Sequence, residues 1–224
     1  MEQFRNMIRE DREKLREKSV SDVIWYIYTY YRVQIFLLVT VLAVGGYLLF
    51  LQLTVPKETW FYACLANTFQ DPAPIAREYA AYAGYDLSQK RLVINAQIYC
   101  NPSGYVGGNK YYESLVTLMD SGAMDVIVMD KEDVAALGRS GRLLDLSSSK
   151  GEGLAERWES RLLRVVPDND EYGTEPLPVG IDLTGSRLVG DYRAYAGNVF
   201  LGVNAEATHI DQVEVFLQYL FQGE

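Results

Sequence analysis

The chain has 224 residues, 49% of them hydrophobic and 23% charged, with a formal net charge of −9. That balance excludes a disordered or fibrous protein, and once an apolar anchor is set aside it leaves about 170 residues, enough for one domain with its own core. The charge is uneven: residues 56–224 hold 14 Lys and Arg against 24 Asp and Glu, an acidic surface that excludes nucleic acid and repels anionic bilayers.

Residues 1–32 carry seven cations against six anions, the mixed pattern of a solvated helix and not of a polybasic lipid clamp. Within them SVSDVIWYIYTYYR places Ser21 where it can cap a helix, and Trp25, Tyr26, Tyr28, Tyr30 and Tyr31 where aromatic rings settle at the headgroup level. Residues 33–55 then run for 23 positions without a charge, long enough to cross a hydrocarbon slab about 30 Å thick. No small-x-small cleavage pattern follows, since Thr54-Val55-Pro56-Lys57 comes next, so the run reads as a permanent transmembrane helix with the lipid bilayer as its partner. Seven cations precede it and only Lys57 follows closely. The positive-inside rule therefore predicts a cytoplasmic N-terminus in a cell membrane and an extracytoplasmic portion over 56–224.

Beyond the span, elements alternate. TWFYACLAN reads as a strand, DPAPIAREYAAYAGYD as a helix closing near Gly84, and KRLVINAQIYC as a second strand with Leu92, Ile94, Ala96 and Ile98 on one face. KYYESLVTLMDSG reads as a helix, and DVIVM as a strand buried on both sides of a parallel sheet. Asp130 is placed to cap the next helix, which points Val134 and Leu137 inward and ends at Gly138 or Gly141. LAERWESRLLRVV is predicted helical, EPLPVGIDLTGS and NVFLGVNA are predicted strands, and Thr208 with Asp211 is expected to cap a last helix carrying Val213, Phe216, Leu217 and Leu220. The expected fold is α/β: one open, mixed but mostly parallel sheet with helices on both faces.

The run SLVTLMDSGAMDVIVMDKEDVAALGRSGRLLDLS, with PVGIDLTGS and VFLGVNAEATHIDQVEVFLQYLF, resembles one lobe of bacterial extracellular solute-binding proteins of the type 2 periplasmic-binding class. With its aromatic approach to one span, the arrangement is similar to uncharacterised membrane-anchored proteins of Gram-positive bacteria. The resemblance implies a binding domain over most of residues 57–222. Residues 147–176, between the sheet halves, are too few for a second α/β lobe, so a single lobe is expected.

In open α/β sheets ligands bind beyond the carboxyl ends of the strands. Those ends carry Asn67, Thr68, Tyr105, Asp130 and Asp182, the expected ligand-binding set. Each of four has a structural use on offer as well: Asn67 and Thr68 as caps for the helix at Asp71-Pro72, Asp130 as cap of its own helix, Asp182 as acceptor for a local amide. Tyr105, on the Gly-rich GYVGG, has no core to belong to.

Cys64 and Cys100 fall in strand-like runs, so both a disulfide and two buried thiols fit them. Two Cys and one His lack any metal-ligand spacing, and no cofactor motif is present. His209, the lone histidine, sits near the start of the last helix with no nucleophile motif beside it, which reads as a solvated residue of the capping region and not as a general base. The sequence thus predicts a non-catalytic, membrane-tethered module that binds a small solute or an envelope partner, or else a scaffold for assembly.

Overall fold

A single helix, α1 (Val20–Thr54), runs unbroken through both the aromatic approach and the apolar run. Its Tyr31–Phe50 stretch is long and apolar enough to cross a membrane, and its side chains lie on the outside. Within α1, Thr29 and Thr40 donate to the carbonyls of Trp25 and Phe36, each at 2.8 Å. The computed structural model describes residues 19–54, 58–87, 90–104, 107–169 and 174–222, with the backbone alone at Val23, Tyr26, Ile27, Tyr30 and residues 51–54. It divides into two units, Met1–Pro56 and Lys57–Glu224.

The described residues of the second unit form one sheet of six strands. These are β1 (Thr59–Leu65), β2 (Arg91–Asn95), β3 (Val126–Asp130), β4 (Leu162–Val165), β5 (Leu177–Asp182) and β6 (Val199–Val203). They lie in the order β2-β1-β3-β6-β5-β4. β1 pairs in parallel with β2 and β3, whereas β3–β6, β6–β5 and β5–β4 are antiparallel. The sheet is therefore mixed and not mostly parallel. The cause lies in one connection: β5 runs with β3, and Leu183–Asn198 stays at the carboxyl end of the sheet instead of crossing a face, so β6 must return in the opposite sense.

Helices cover both faces. On one side α2 (Ala73–Tyr82) and α6 (Ile210–Leu220) bury Ile75, Tyr79, Val213, Phe216 and Leu217 against Phe61, Val128 and Leu201. On the other, α3 (Lys110–Asp120) and α4 (Lys131–Arg139) set Leu115, Met119, Val134 and Leu137 over Cys64, Ile127 and Met129. The alternation of side chains along β3 feeds both clusters, which is why VIVM carries no polar position.

Gly141, at φ +73°, terminates α4: its amide reaches Gly138 O at 3.0 Å and that of Arg142 reaches Leu137 O at 3.1 Å, a Schellman closure. Gly138 has a different task. A Cβ there would stand 2.5 Å from Val179 Cγ2, so its absence lets α4 settle onto β5.

Three sequence expectations are corrected. In LAERWESRLLRVV only α5 (Glu152–Arg157) is α-helical, followed by a 3-10 turn and then β4. The charged residues imitate a helical stripe, but Leu163 and Val165 are buried with Arg164 exposed between them, the period of a strand. The strand in KRLVINAQIYC stops at Asn95, whose Oδ1 accepts from Gln97 N at 2.9 Å and bends the chain out of the ladder. Ile98 and Cys100 then join the cluster opposite to that of Ile94 and Ala96. Neither Asp130 nor Thr208 caps by its side chain; Asp130 and His209 hold the N-cap positions of α4 and α6 without a capping side-chain bond.

Candidate functional site

The carboxyl end of the sheet is occupied by the chain itself. Asn67, at φ +58° just past β1, donates from Nδ2 to Cys100 O at 2.7 Å and accepts from Cys100 N at 3.0 Å, lacing β1 to the segment that follows β2. Thr68 is 2% exposed, and its hydroxyl donates to Ala194 O at 2.8 Å. Neither caps α2, where Asp71 Oδ1 takes the amide of Ala73 at 3.0 Å instead. Asp182 Oδ1 accepts from Thr184 N at 2.8 Å. Asp130 stays exposed at the end of β3, its carboxyl pushed up by burial and then by the charges of Asp133 and Glu132. Tyr105 lies outside the described residues.

Across these strand ends runs the Leu183–Asn198 connection. Tyr195 donates its hydroxyl toward Ala66 O at 2.7 Å and Val128 O at 3.1 Å, at the ends of β1 and β3. Burial, with the charges of Cys64 and Asp130 behind it, holds this phenol well above its ordinary range, so it remains a donor. The strap is fastened from outside by Arg187, which bonds Glu78 of α2 at 2.7 Å and Asp191 at 2.8 Å while lying over the Tyr219 ring. Tyr192 donates to the same Glu78 carboxylate at 2.7 Å. The position where an open α/β sheet ordinarily receives a ligand is thus filled by Tyr195.

Cys64 and Cys100 are free, buried thiols on the same side of the sheet. Burial pushes both up to about 12, with the charge of Cys100 adding at Cys64 and that of Asp133 adding at Cys100. As neutral thiols they pack as small apolar groups.

An open groove of about 740 Å³ lies along β2, the strand at the sheet's edge. Its carboxyl-end wall is aromatic: Phe69, 92% exposed, stacks on Tyr99 with ring centroids 5.3 Å apart, and Tyr99 meets Tyr111 edge-on at 6.1 Å. Tyr99 is fixed by its hydroxyl, which donates to Thr68 O at 3.0 Å. Further along, Asn95 Nδ2 donates to Tyr62 Oη at 2.9 Å, presenting a polar pair to the groove. Arg91 closes the other end and has no ion pair among the described residues. Ile94 and Ala96 also line the groove although their side chains are buried in the core, so what they present is backbone. No group of three or more Cys, His, Asp and Glu is placed to hold a metal among the described residues.

Asn67, Thr68, Asp130 and Asp182, expected at the strand ends, do not line this groove, and the residues that do, Phe69, Tyr99 and Arg91 among them, are not in the expected set. A signal was present: Phe69 in NTFQDPAP is an aromatic in a polar turn, the same argument that singles out Tyr105.

The chain matches no protein-family model and no curated protein. The solved structure of an OxyR mutant from Corynebacterium glutamicum matches 85% of this chain and 73% of its own length at 12% identity, with a TM-score of 0.29. At that score the likeness decides neither fold nor function.

Proposed function

We propose that this chain is a non-catalytic binding module, tethered to a cell membrane by α1, with residues 56–224 on the extracytoplasmic side and the groove beside β2 as its contact surface. The resemblance of its sequence motifs to a solute-binding lobe supports binding over catalysis. The closure of the strand ends by Tyr195 moves the contact surface away from where such a lobe holds solute. One observation carries the assignment: a phenylalanine 92% exposed to solvent, stacked on an anchored tyrosine at the mouth of a polar groove. An apolar ring held out in this way loses hydrophobic stabilisation unless something covers it.

The test is photocapture in the native membrane. A benzoylphenylalanine replacing Phe69 in the full-length chain is expected to form a covalent adduct on irradiation. The same probe replacing Val166, exposed beyond the far edge of the sheet, is expected to form none. No adduct at Phe69, or equal adducts at both positions, counts against the groove. Protease added to intact cells should remove residues 56–224; protection of that part with digestion of residues 1–32 would reverse the topology.

A further inference from the structure

We infer that the groove accepts an extended peptide as an additional strand on β2, with an acidic side chain beside Arg91 and an apolar or aromatic one on the Phe69–Tyr99 shelf. This rests on the groove being the contact surface.

The first support is the backbone. Among the described residues β2 pairs with β1 alone, and the amide of Arg91 points to that neighbour, reaching Glu58 O at 2.9 Å. In a parallel pair alternate residues turn both polar groups to the same side, so Leu92 and Ile94 direct theirs to the open edge. This agrees with Ile94 lining the groove while its side chain is 8% exposed. A row of outward amides and carbonyls is a template for another strand.

The second support is that β2 is a regular strand whose one charged side chain is the exposed Arg91 that lines the groove. In the β1–β2 pair the irregularity falls between Thr59 and Phe61, on β1, and β2 itself runs regularly from Arg91 to Asn95. β2 contains no proline.

Charge and length define the occupant. In a domain with 14 cations against 24 anions, a guanidinium at the groove's end with no ion pair among the described residues is a local exception that suits a carboxylate. The carboxylate at the other end, Asp71, is engaged with the amide of Ala73. The strand edge runs from Arg91 to Asn95, roughly 13 Å of extended chain, and the Phe69–Tyr99 shelf lies beyond it, so a peptide of about six residues reaches both.

The experiment uses the full-length chain in detergent micelles and two acetylated, amidated hexapeptides, Glu-Val-Thr-Val-Thr-Phe and its reverse, because either strand direction satisfies the edge. One of the two is expected to bind. Methylating its backbone nitrogens in one alternating frame should weaken binding at least tenfold, and methylating the other frame should leave it unchanged. Arg91→Glu should transfer the preference to the peptide with Lys in place of Glu. Equal effects of the two methylation frames overturn the inference, as does failure of both peptides to bind. If Phe69 photocapture still succeeds in that case, the groove stands and strand addition alone falls; if both fail, both fall. A dimer that forms without peptide and is dissolved by the same hexapeptide in competition would make a second copy the occupant and overturn it too.

Discussion

His209 Nδ1 lies 2.9 Å from Asp125 Oδ1, joining the start of α6 to the residue before β3. Asp125 is 2% exposed, yet every bond it makes is structural: its carboxylate accepts from Tyr62 N at 2.9 Å and His209 N at 3.3 Å, and its backbone exchanges bonds with Tyr62 and Asn204. One carboxylate thus fastens β1, β3 and α6 together, and the histidine read from sequence as solvated is its partner.

Asp125→Ala is expected to lower the unfolding free energy by about 2–4 kcal/mol, since it leaves buried donors without an acceptor. Asp125→Asn, which keeps one acceptor oxygen, should cost roughly half as much. Denaturant titration of the full-length chain reads both; a change below about 0.5 kcal/mol for Asp125→Ala would show that the clamp contributes little.

Tyr195→Phe removes only the hydroxyl over the strand ends and should cost about 1–2 kcal/mol. Tyr195→Ala empties the space as well and should cost about 3–5 kcal/mol. Neither is expected to change photocapture at Phe69. Loss of capture in the phenylalanine variant would mean that strap and groove act as one site.

The two thiols give a pH dependence of definite sign. Burial raises both from 9.0 to about 12, so the unfolded chain releases their protons first. The stability they contribute is whole below about pH 9 and is lost as pH rises toward 12, with Cys64 giving a slope of up to about 1.4 kcal/mol per unit. Tyr79 and Tyr195, both pushed up chiefly by burial, act in the same direction at higher pH. Denaturation midpoints between pH 8 and 10 should therefore fall in the native chain and fall less in Cys64→Ala/Cys100→Ala. Identical slopes would place the thiols outside this effect. Thiol reagents at pH 8 should label the folded chain far more slowly than the unfolded one.

Gly138→Ala brings a methyl group to 2.5 Å from Val179 Cγ2, an overpacking expected to cost about 1–3 kcal/mol. Val179→Ala should recover part of that loss in the double variant, and a double-mutant cycle measures the coupling. Strict additivity would show that α4 relaxes away from β5 without this contact.

What the sequence reveals here is what short-range chemistry controls. VIVM reads as a strand because both of its faces are buried, and Gly84 and Gly141 read as helix ends because positive φ is needed there. The sense of β6 does not follow from its five buried residues, which suit either direction; it depends on where the preceding connection runs. Asp125 and His209 stand 84 positions apart and Tyr195 and Ala66 129 apart, so no local pattern announces either pair. Asn67, Thr68 and Asp182 stand at or just past strand ends, where their side chains bond the backbone of Cys100, Ala194 and Thr184, and the first two of these partners lie too far along the chain for a local pattern to show.

The strand order carries a consequence for assembly. β6 is the last of the described strands, yet it lies between β3 and β5 and is, among those strands, the sole link between β2-β1-β3 on one side and β5-β4 on the other. A nascent chain halted before Val199 holds two half-sheets with no shared strand border, each ending in an unsatisfied inner rim. Such a domain cannot mature piecemeal as it emerges: its keystone arrives at the end, and until then both rims need shielding from other chains.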